Sequence, residues 1–202
     1  DRSVSRGLGD VYKRQIGHVR YSTSGGSLEE NIQPLFANLA AGGFACAHNG
    51  NLTNTEFLRN QLIKEGAIFQ SSSDTEIILQ LVAKSKKKNT IKKIIDALFR
   101  IKGAYSLVVL TKDKMYGIKD PFGIRPLVLG KIGKSFVLSS ETCALDMIGA
   151  KYIRDIDNGE ILEISKTGLN SFKPFPKVNE RPCIFESIYF SRPDSKIKGK
   201  TV

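Results

Sequence analysis

Asn49 and Gly50 place a side-chain amide and an unshielded backbone N–H side by side, after the run Phe44-Ala45-Cys46-Ala47-His48. Two such donors aimed at one point are what holding an oxyanion during acyl transfer requires. An Asn-Gly pair is also the strongest short signal for a hairpin turn, so the pair alone leaves both readings open. Asp74 opens a helical pattern, where an acid either complements the helix dipole or offers its carboxylate to a ligand. Arg20 closes a strand-like run, where it is either an ordinary surface charge or a fork of donors for a carboxylate. His18 and His48 have no third metal-binding partner nearby in sequence and read as hydrogen-bonding residues. Cys46 and His48 share a strand face, but small apolar neighbours make Cys46 a buried, inert thiol rather than a nucleophile.

These groups need elements to position them. Ile16–Ser22 reads as a strand that carries polar residues to its end, followed by the loop Thr23–Ser27. Phe44–His48 reads as a second short strand. Thr53-x-x-Glu56 and Ser73-x-x-Glu76 are capping boxes. The first opens a helix with Phe57, Leu58 and Leu62 inward, and the second a helix with Ile77, Ile78, Leu81 and Val82 at helical spacing. A third helix carries Ile91, Ile94, Ile95, Leu98 and Phe99. From Gly103 the period changes to that of strands, predicted at Ala104–Leu110, Met115–Ile118, Leu127–Gly130 and Phe136–Ser139. A helix over Thr142–Ile148 then precedes strands at Tyr152–Ile156, Glu160–Ile164 and Leu169–Phe172. Pro174 and Pro176 predict an exit from the packed region. Helices layered on antiparallel sheet, an α+β sandwich, suit this order better than alternating βαβ units.

The 202 residues are enough for one domain with a sizeable core, and for the start of a second. An apolar share of 41% argues for a globular chain. A formal charge of +11 raises the question of nucleic acid. Its lysines cluster at 84–93 and 196–200 with little aromatic interleaving and no recognisable motif, so solvated faces account for them and no nucleic-acid partner is expected. No apolar run has the length of a membrane span, and three scattered cysteines give neither a disulfide framework nor a zinc pattern. A cytoplasmic setting follows as the default. Asp1–Gln15 shows neither period and runs abruptly into patterned sequence, as a non-native leader would.

Four runs occur together and in order: Gly17-His-Val-Arg-Tyr-Ser-Thr23, His48-Asn-Gly-Asn51, Ser72-Ser-Asp-Thr-Glu76 and Asp120-Pro-Phe-Gly-Ile-Arg-Pro126. With the tail Cys183-Ile-Phe-Glu-Ser-Ile-Tyr-Phe-Ser-Arg-Pro-Asp-Ser195, they resemble the glutamine-hydrolysing domain of class II glutamine amidotransferases. Within that class they are similar to the branch whose acceptor is phosphoribosylpyrophosphate, the enzymes of the first committed step of purine synthesis. The resemblance runs from about Ile16 to Val202.

It implies a four-layer αββα sandwich of N-terminal-nucleophile hydrolase type, incomplete at the N-terminus. Residues 1–15 would be the leader, 16–180 the glutaminase domain, and 181–202 a linker into a missing phosphoribosyltransferase domain. The family's cysteine is the first residue of the mature chain, and its own α-amine serves as base. That thiol is not found here, so the chain as it stands is expected to hydrolyse no glutamine. Carried across, Asn49 and the Gly50 N–H would hold the oxyanion. Arg20 would grip the glutamine α-carboxylate, Asp74 would pair with the α-ammonium, and Tyr21 and Thr23 would complete the substrate site. Cys183 matches an iron–sulfur (4Fe–4S) ligand of some members, and Mg2+ would belong to the missing domain. Glutamine and phosphoribosylpyrophosphate are the implied partners, with a homo-oligomer at full length. The alternatives are a class II amidotransferase with another acceptor and a catalytically dead glutamine-binding module.

Overall fold

A computed structural model of the chain describes residues 14–19, 28–197 and 199–202. Arg20, Tyr21, Thr23 and the expected leader up to Lys13 lie outside the described residues. Of the expected strand at Ile16–Ser22, the described part, Ile16–Val19, belongs to no ladder although its exposure alternates residue by residue. Alternation reports which way side chains face; pairing needs a neighbouring backbone.

Strands β1 (Leu35–Leu39), β2 (Gly42–Leu52), β3 (Gly103–Thr111), β4 (Met115–Lys119), β8 (Ile161–Ser165) and β9 (Gly168–Phe172) form one antiparallel sheet in that order. A smaller antiparallel sheet has the order β6 (Ser135–Ser139), β5 (Val128–Ile132), β7 (Lys151–Asp155). Helices α1 (Thr55–Lys64), α2 (Asp74–Lys84) and α3 (Thr90–Leu98) bury one face of the large sheet. That core joins Phe44, Cys46 and Leu52 of β2 and Leu107 and Val109 of β3 to Leu58, Leu62, Ile77, Leu81 and Leu98 of the helices.

The other face of the large sheet packs on the small one. Leu127, Leu129, Ile156 and Leu162 meet there, and Gly117 on β4 makes the room: a Cβ at that position would lie 2.8 Å from Leu138 Cδ1. Helix α4 (Thr142–Met147) covers the outer face of the small sheet, with Leu145 packed against Val128 and against the bare Cα of Gly130. The layers therefore run helix, sheet, sheet, helix, the expected αββα order.

Local chemistry departs from the sequence expectations at three places. Asn49-Gly50 is no turn: β2 continues through it, with Asn49 opposite Ser106 and Gly50 opposite Tyr105. Thr53 does not cap α1, because its N–H still donates to Lys102 O at 2.8 Å as an extension of the sheet; the helix starts at Thr55, whose hydroxyl donates to Leu52 O. Ser73 does cap α2, accepting from Thr75 N, but Glu76 turns back to Gln70 N, Ser71 N and the Ser71 hydroxyl instead of closing the box.

Pro174 and Pro176 do not lead the chain away. Phe175 packs on Phe99 with ring centroids 5.0 Å apart, and Arg181 N donates to Phe122 O. A π-helical turn at Glu186–Phe190 and the short hairpin β10 (Lys196–Ile197) and β11 (Lys200–Thr201) follow. The tail is fastened beside α4: Glu141 accepts from Arg192 N at 2.8 Å and from the Ser195 hydroxyl at 2.7 Å, and Lys196 N donates to Thr142 Oγ1.

Candidate functional site

β1 pairs with β2 only from Leu39↔Gly42 to Leu35↔Cys46, so among the described residues no strand pairs with the rest of that edge of β2. Antiparallel alternation decides which residues look out over it. The carbonyl of Tyr105 is taken by Asp120 N on its far side, so Gly50, opposite Tyr105, turns its own N–H away from β3. His48 and Leu52, two residues either side, face the same edge. The His48 N–H donates to Gln33 Oε1 at 2.7 Å and the Leu52 N–H to Asp74 Oδ2 at 2.9 Å. The N–H of Gly50 falls between these two capped donors and lines a cavity of about 850 Å³.

Side chains reach the same cavity from both faces of β2. Asn49 projects toward the small sheet, where its Oδ1 accepts from Arg125 Nη2 at 2.7 Å. A guanidinium has donors only, so the Asn49 oxygen must face it, and the Nδ2 is left to donate elsewhere. On the helical side Asp74, the first residue of α2, is 4% exposed and still lines the cavity. Burial pushes its carboxyl up, but the hydrogen bond and charge of His48 and the N–H groups of Leu52 and Thr75 outweigh this. The net effect holds it below the ordinary carboxylate range.

His48 lies at the cavity wall, buried, with both ring nitrogens beside polar partners. Its Nδ1 lies 3.4 Å from the Thr75 hydroxyl and 3.5 Å from Asp74 Oδ1, and its Nε2 lies 3.3 Å from Ala104 O. It therefore braces Asp74. Cys46, two residues before it on the same face, is fully buried, and burial with the nearby Asp74 charge pushes its thiol up to about 12. Cys143 lines the cavity wall, where its thiol donates to the Glu141 carboxylate at 3.7 Å. The surroundings of Cys46 disfavour its thiolate.

Gly17, His18 and Val19 line the cavity as well, which brings the strand-like run before Arg20 to its rim. The structure thus gathers Asn49, Gly50, Asp74 and the Gly17–Val19 run at one place, while Arg20, Tyr21 and Thr23 lie outside the described residues. Cys183 lies apart, beside a smaller cleft with Pro182, Glu186 and Ser195. Among the described residues no three His, Cys, Asp or Glu side chains are placed to hold a metal ion. Among the same residues no helix is long and apolar enough to cross a membrane.

Sequence reasoning assigns no role to Gln33, Arg125 or Glu186. Arg125 stands inside the run Asp120–Pro126 as its only cation, between Ile124 and Pro126, which is the one signal that could have singled it out. Its guanidinium joins Asn49 to Glu186, with Nη1 at 2.8 Å from Glu186 Oε2, and lies over the Phe190 ring at 4.7 Å. Burial pushes the Glu186 carboxyl up further than the Arg125 charge brings it down.

The comparisons with known proteins agree with this geometry. A family model described as a glutamine amidotransferase domain matches residues 18–147. An amidophosphoribosyltransferase of Rhizobium etli is 50% identical over 192 residues, covering 93% of this chain and 39% of that protein. Its namesake in Bacillus subtilis is 45% identical over 191 residues, covering 94% of this chain and 40% of that one. The solved glutamine phosphoribosylpyrophosphate amidotransferase from B. subtilis, complexed with ADP and GMP, superposes with a TM-score of 0.87 at 42% identity. That match covers 91% of this chain and 40% of the solved one. The chain thus spans about two fifths of the length of the relatives it matches. The matched family model and the shared layer order make this chain a member of the glutamine amidotransferase domain family.

Proposed function

We propose that this chain is the glutamine-hydrolysing part of an amidophosphoribosyltransferase. The observation that carries the reading is the meeting of the freed Asn49 amide, the edge-facing Gly50 N–H and the Asp74 carboxylate on one cavity. Asp74 would take the α-ammonium of glutamine and Arg20 its α-carboxylate, leaving the side-chain amide between Asn49 and Gly50. When a thiolate attacks the amide carbon, a C–S bond forms and the carbonyl electron pair moves onto oxygen. The two N–H donors would hold that charge until the carbonyl re-forms. The C–N bond then breaks as the proton taken from the thiol passes to the leaving nitrogen, so that ammonia departs and a thioester remains, which water hydrolyses to glutamate and the free thiol. Cys46 does not suit the thiolate's role, being buried with its thiol pushed up, and Cys183 lies away from the cradle.

Ammonia would pass to phosphoribosylpyrophosphate and displace pyrophosphate to give 5-phosphoribosylamine, with the acceptor and its Mg2+ in the part of the relatives that this chain does not span. Residues 16–180 would be the glutaminase unit, and 181–202 would lead toward that part. A cytoplasmic site and a homo-oligomer at full length belong to the same reading. Cys183 offers a single thiol, which alone does not make an iron–sulfur site, and no step is routed through one.

Titrating glutamine into the chain by calorimetry tests the binding half of this reading. Glutamine is expected to bind with a Kd of about 1 mM or tighter, in the usual range for enzyme substrates. Asparagine, one methylene shorter, cannot span Asp74 and the Asn49–Gly50 donors together and should give no measurable heat. Absence of glutamine binding, or equal binding of asparagine, would overturn the assignment.

A further inference from the structure

Asn49 can serve as an oxyanion donor only if its carboxamide is held one way round. A 180° turn about its last torsion would exchange donor for acceptor and set a carbonyl oxygen against developing negative charge. Nothing on β2 itself fixes that torsion, because the Asn49 backbone is occupied by the ladder with Ser106 and its side chain leaves the sheet. The group that fixes it is Arg125, from 76 residues further along the chain.

Arg125 is itself rigidly delivered. The wholly buried Asp120 carboxylate accepts from Phe122 N at 2.9 Å and Ile124 N at 3.0 Å, and the Asp120 carbonyl accepts from Gly123 N and Gly159 N. Gly123 turns the loop at φ +68°, packed so closely on the Asn158 side chain that a Cβ would meet it at 2.1 Å. From this loop the guanidinium extends between two partners. Nη2 donates to Asn49 Oδ1 at 2.7 Å, Nη1 pairs with Glu186 Oε2 at 2.8 Å, and Phe190 covers the guanidinium plane. Glu186 and Phe190 are the two ends of the π-helical turn in the tail, which Glu141 fastens through Arg192 and Ser195.

We propose that Arg125 is a positioning residue: it locks the Asn49 amide with Nδ2 toward the cavity, and the docked tail buttresses it through Glu186 and Phe190. This rests on the glutaminase reading for what Nδ2 is to bind, but the lock exists in the free protein and is measured without ligand. It also gives the run Asp120–Pro126 and the tail one shared task, setting a donor that neither contains.

The test is NMR on the chain labelled with 15N, with the Asn49 side-chain NH2 pair identified by its loss in Asn49→Ala. Arg125→Met alone would strand the buried Glu186 charge and could simply unfold the chain. The main variant is therefore Arg125→Met/Glu186→Gln, in which neither charge of this pair remains, with its backbone spectrum as the check on folding. In wild type the NH2 pair should be sharp and well separated. In the double variant it should broaden and move toward exposed asparagine positions, and Arg125→Lys, which restores one cationic donor, should recover much of the wild-type pattern. Glu186→Gln alone should give an intermediate spectrum. A folded double variant whose Asn49 NH2 signals coincide with wild type would overturn the proposal. If even this variant fails to fold, Arg125→Lys and Glu186→Gln decide: both leaving the pair unmoved overturns it, and a graded shift supports it. Adding glutamine separates the two claims. A wild-type Asn49 pair that ignores glutamine contradicts the glutaminase reading, whereas the ligand-free comparison still decides the role of Arg125.

Discussion

Gly50→Ala is expected to destabilise the chain by about 4 kcal/mol, the sum of two separate penalties. The first is conformational: Gly50 sits at φ +144°, where an L side chain is strained by about 1–3 kcal/mol. The second is steric. A Cβ would stand 2.2 Å from Ala104 O and 2.9 Å from His48 Nε2. Ala104 O belongs to the backbone of the neighbouring strand and cannot rotate aside, so overpacking adds roughly another 1–3 kcal/mol. For a chain of this size such a loss lowers the melting temperature by roughly 8–16 °C. Gly42 supplies the control, because it too has positive φ, at +108°, but a Cβ there meets nothing within 4 Å. Gly42→Ala should therefore carry only the conformational part. Thermal melts followed by circular dichroism compare the two; equal shifts would mean that the close approach of β3 to Gly50 is not what constrains this strand.

That close approach explains how much of the site could be read from residues alone. Asn-Gly has the chemistry of both a turn and an oxyanion cradle, and local pattern cannot choose between them. The choice is made by β3, whose Gly103 also has positive φ and would clash through a Cβ with Asn51 O at 2.4 Å. Gly50, opposite Tyr105, and Gly103, opposite Leu52, let the two strands run on side by side where a Cβ on either would clash with the facing backbone. The buried periodicities were legible: Ile77, Ile78, Leu81 and Val82 of α2 and the strands of the small sheet fall where hydrophobic spacing puts them. The edge strand β1 was not, because the run Leu35-Phe-Ala-Asn-Leu39 is short and leaves Phe36 exposed. Nor was the return of the tail. Pro174 and Pro176 break a strand locally, whereas the contacts that bring the chain back, Phe175 on Phe99 and Arg125 on Glu186, join residues far apart in sequence. That Asn49, Gly50 and Asp74 could share one ligand was legible from their chemistry, and they do line one cavity; Arg125, which bonds the first of them, was legible only as part of a motif.

Asp74→Asn is expected to weaken glutamine binding by at least about 30-fold, since truncating one partner of a buried charge pair costs 2–5 kcal/mol and each tenfold is 1.4 kcal/mol. The substitution is chosen because it separates two tasks of one carboxylate. Asparagine keeps an oxygen for the Leu52 N–H, so the start of α2 stays fastened to the edge of β2. What it removes is the negative charge, which is the feature an α-ammonium would need. 4-Carbamoylbutanoate, glutamine without its amino group, makes the distinction measurable: its affinity should be the same for wild type and variant. Equal weakening of both ligands would show that Asp74 shapes the pocket rather than pairing with the ammonium. Acid titration gives a second handle. The folded carboxyl is held below its ordinary value, with burial outweighed by His48 and the Leu52 and Thr75 N–H groups. Its contribution to stability is therefore complete above the unfolded value of about 3.9 and is lost as pH falls through the lower folded value. The stability gap between wild type and Asp74→Asn should accordingly not vary with this carboxyl from pH 5 upward and should narrow below about pH 4, within the window set by that depressed value. A gap that instead narrowed as pH rose above 5 would show that this carboxyl is not the group that controls it.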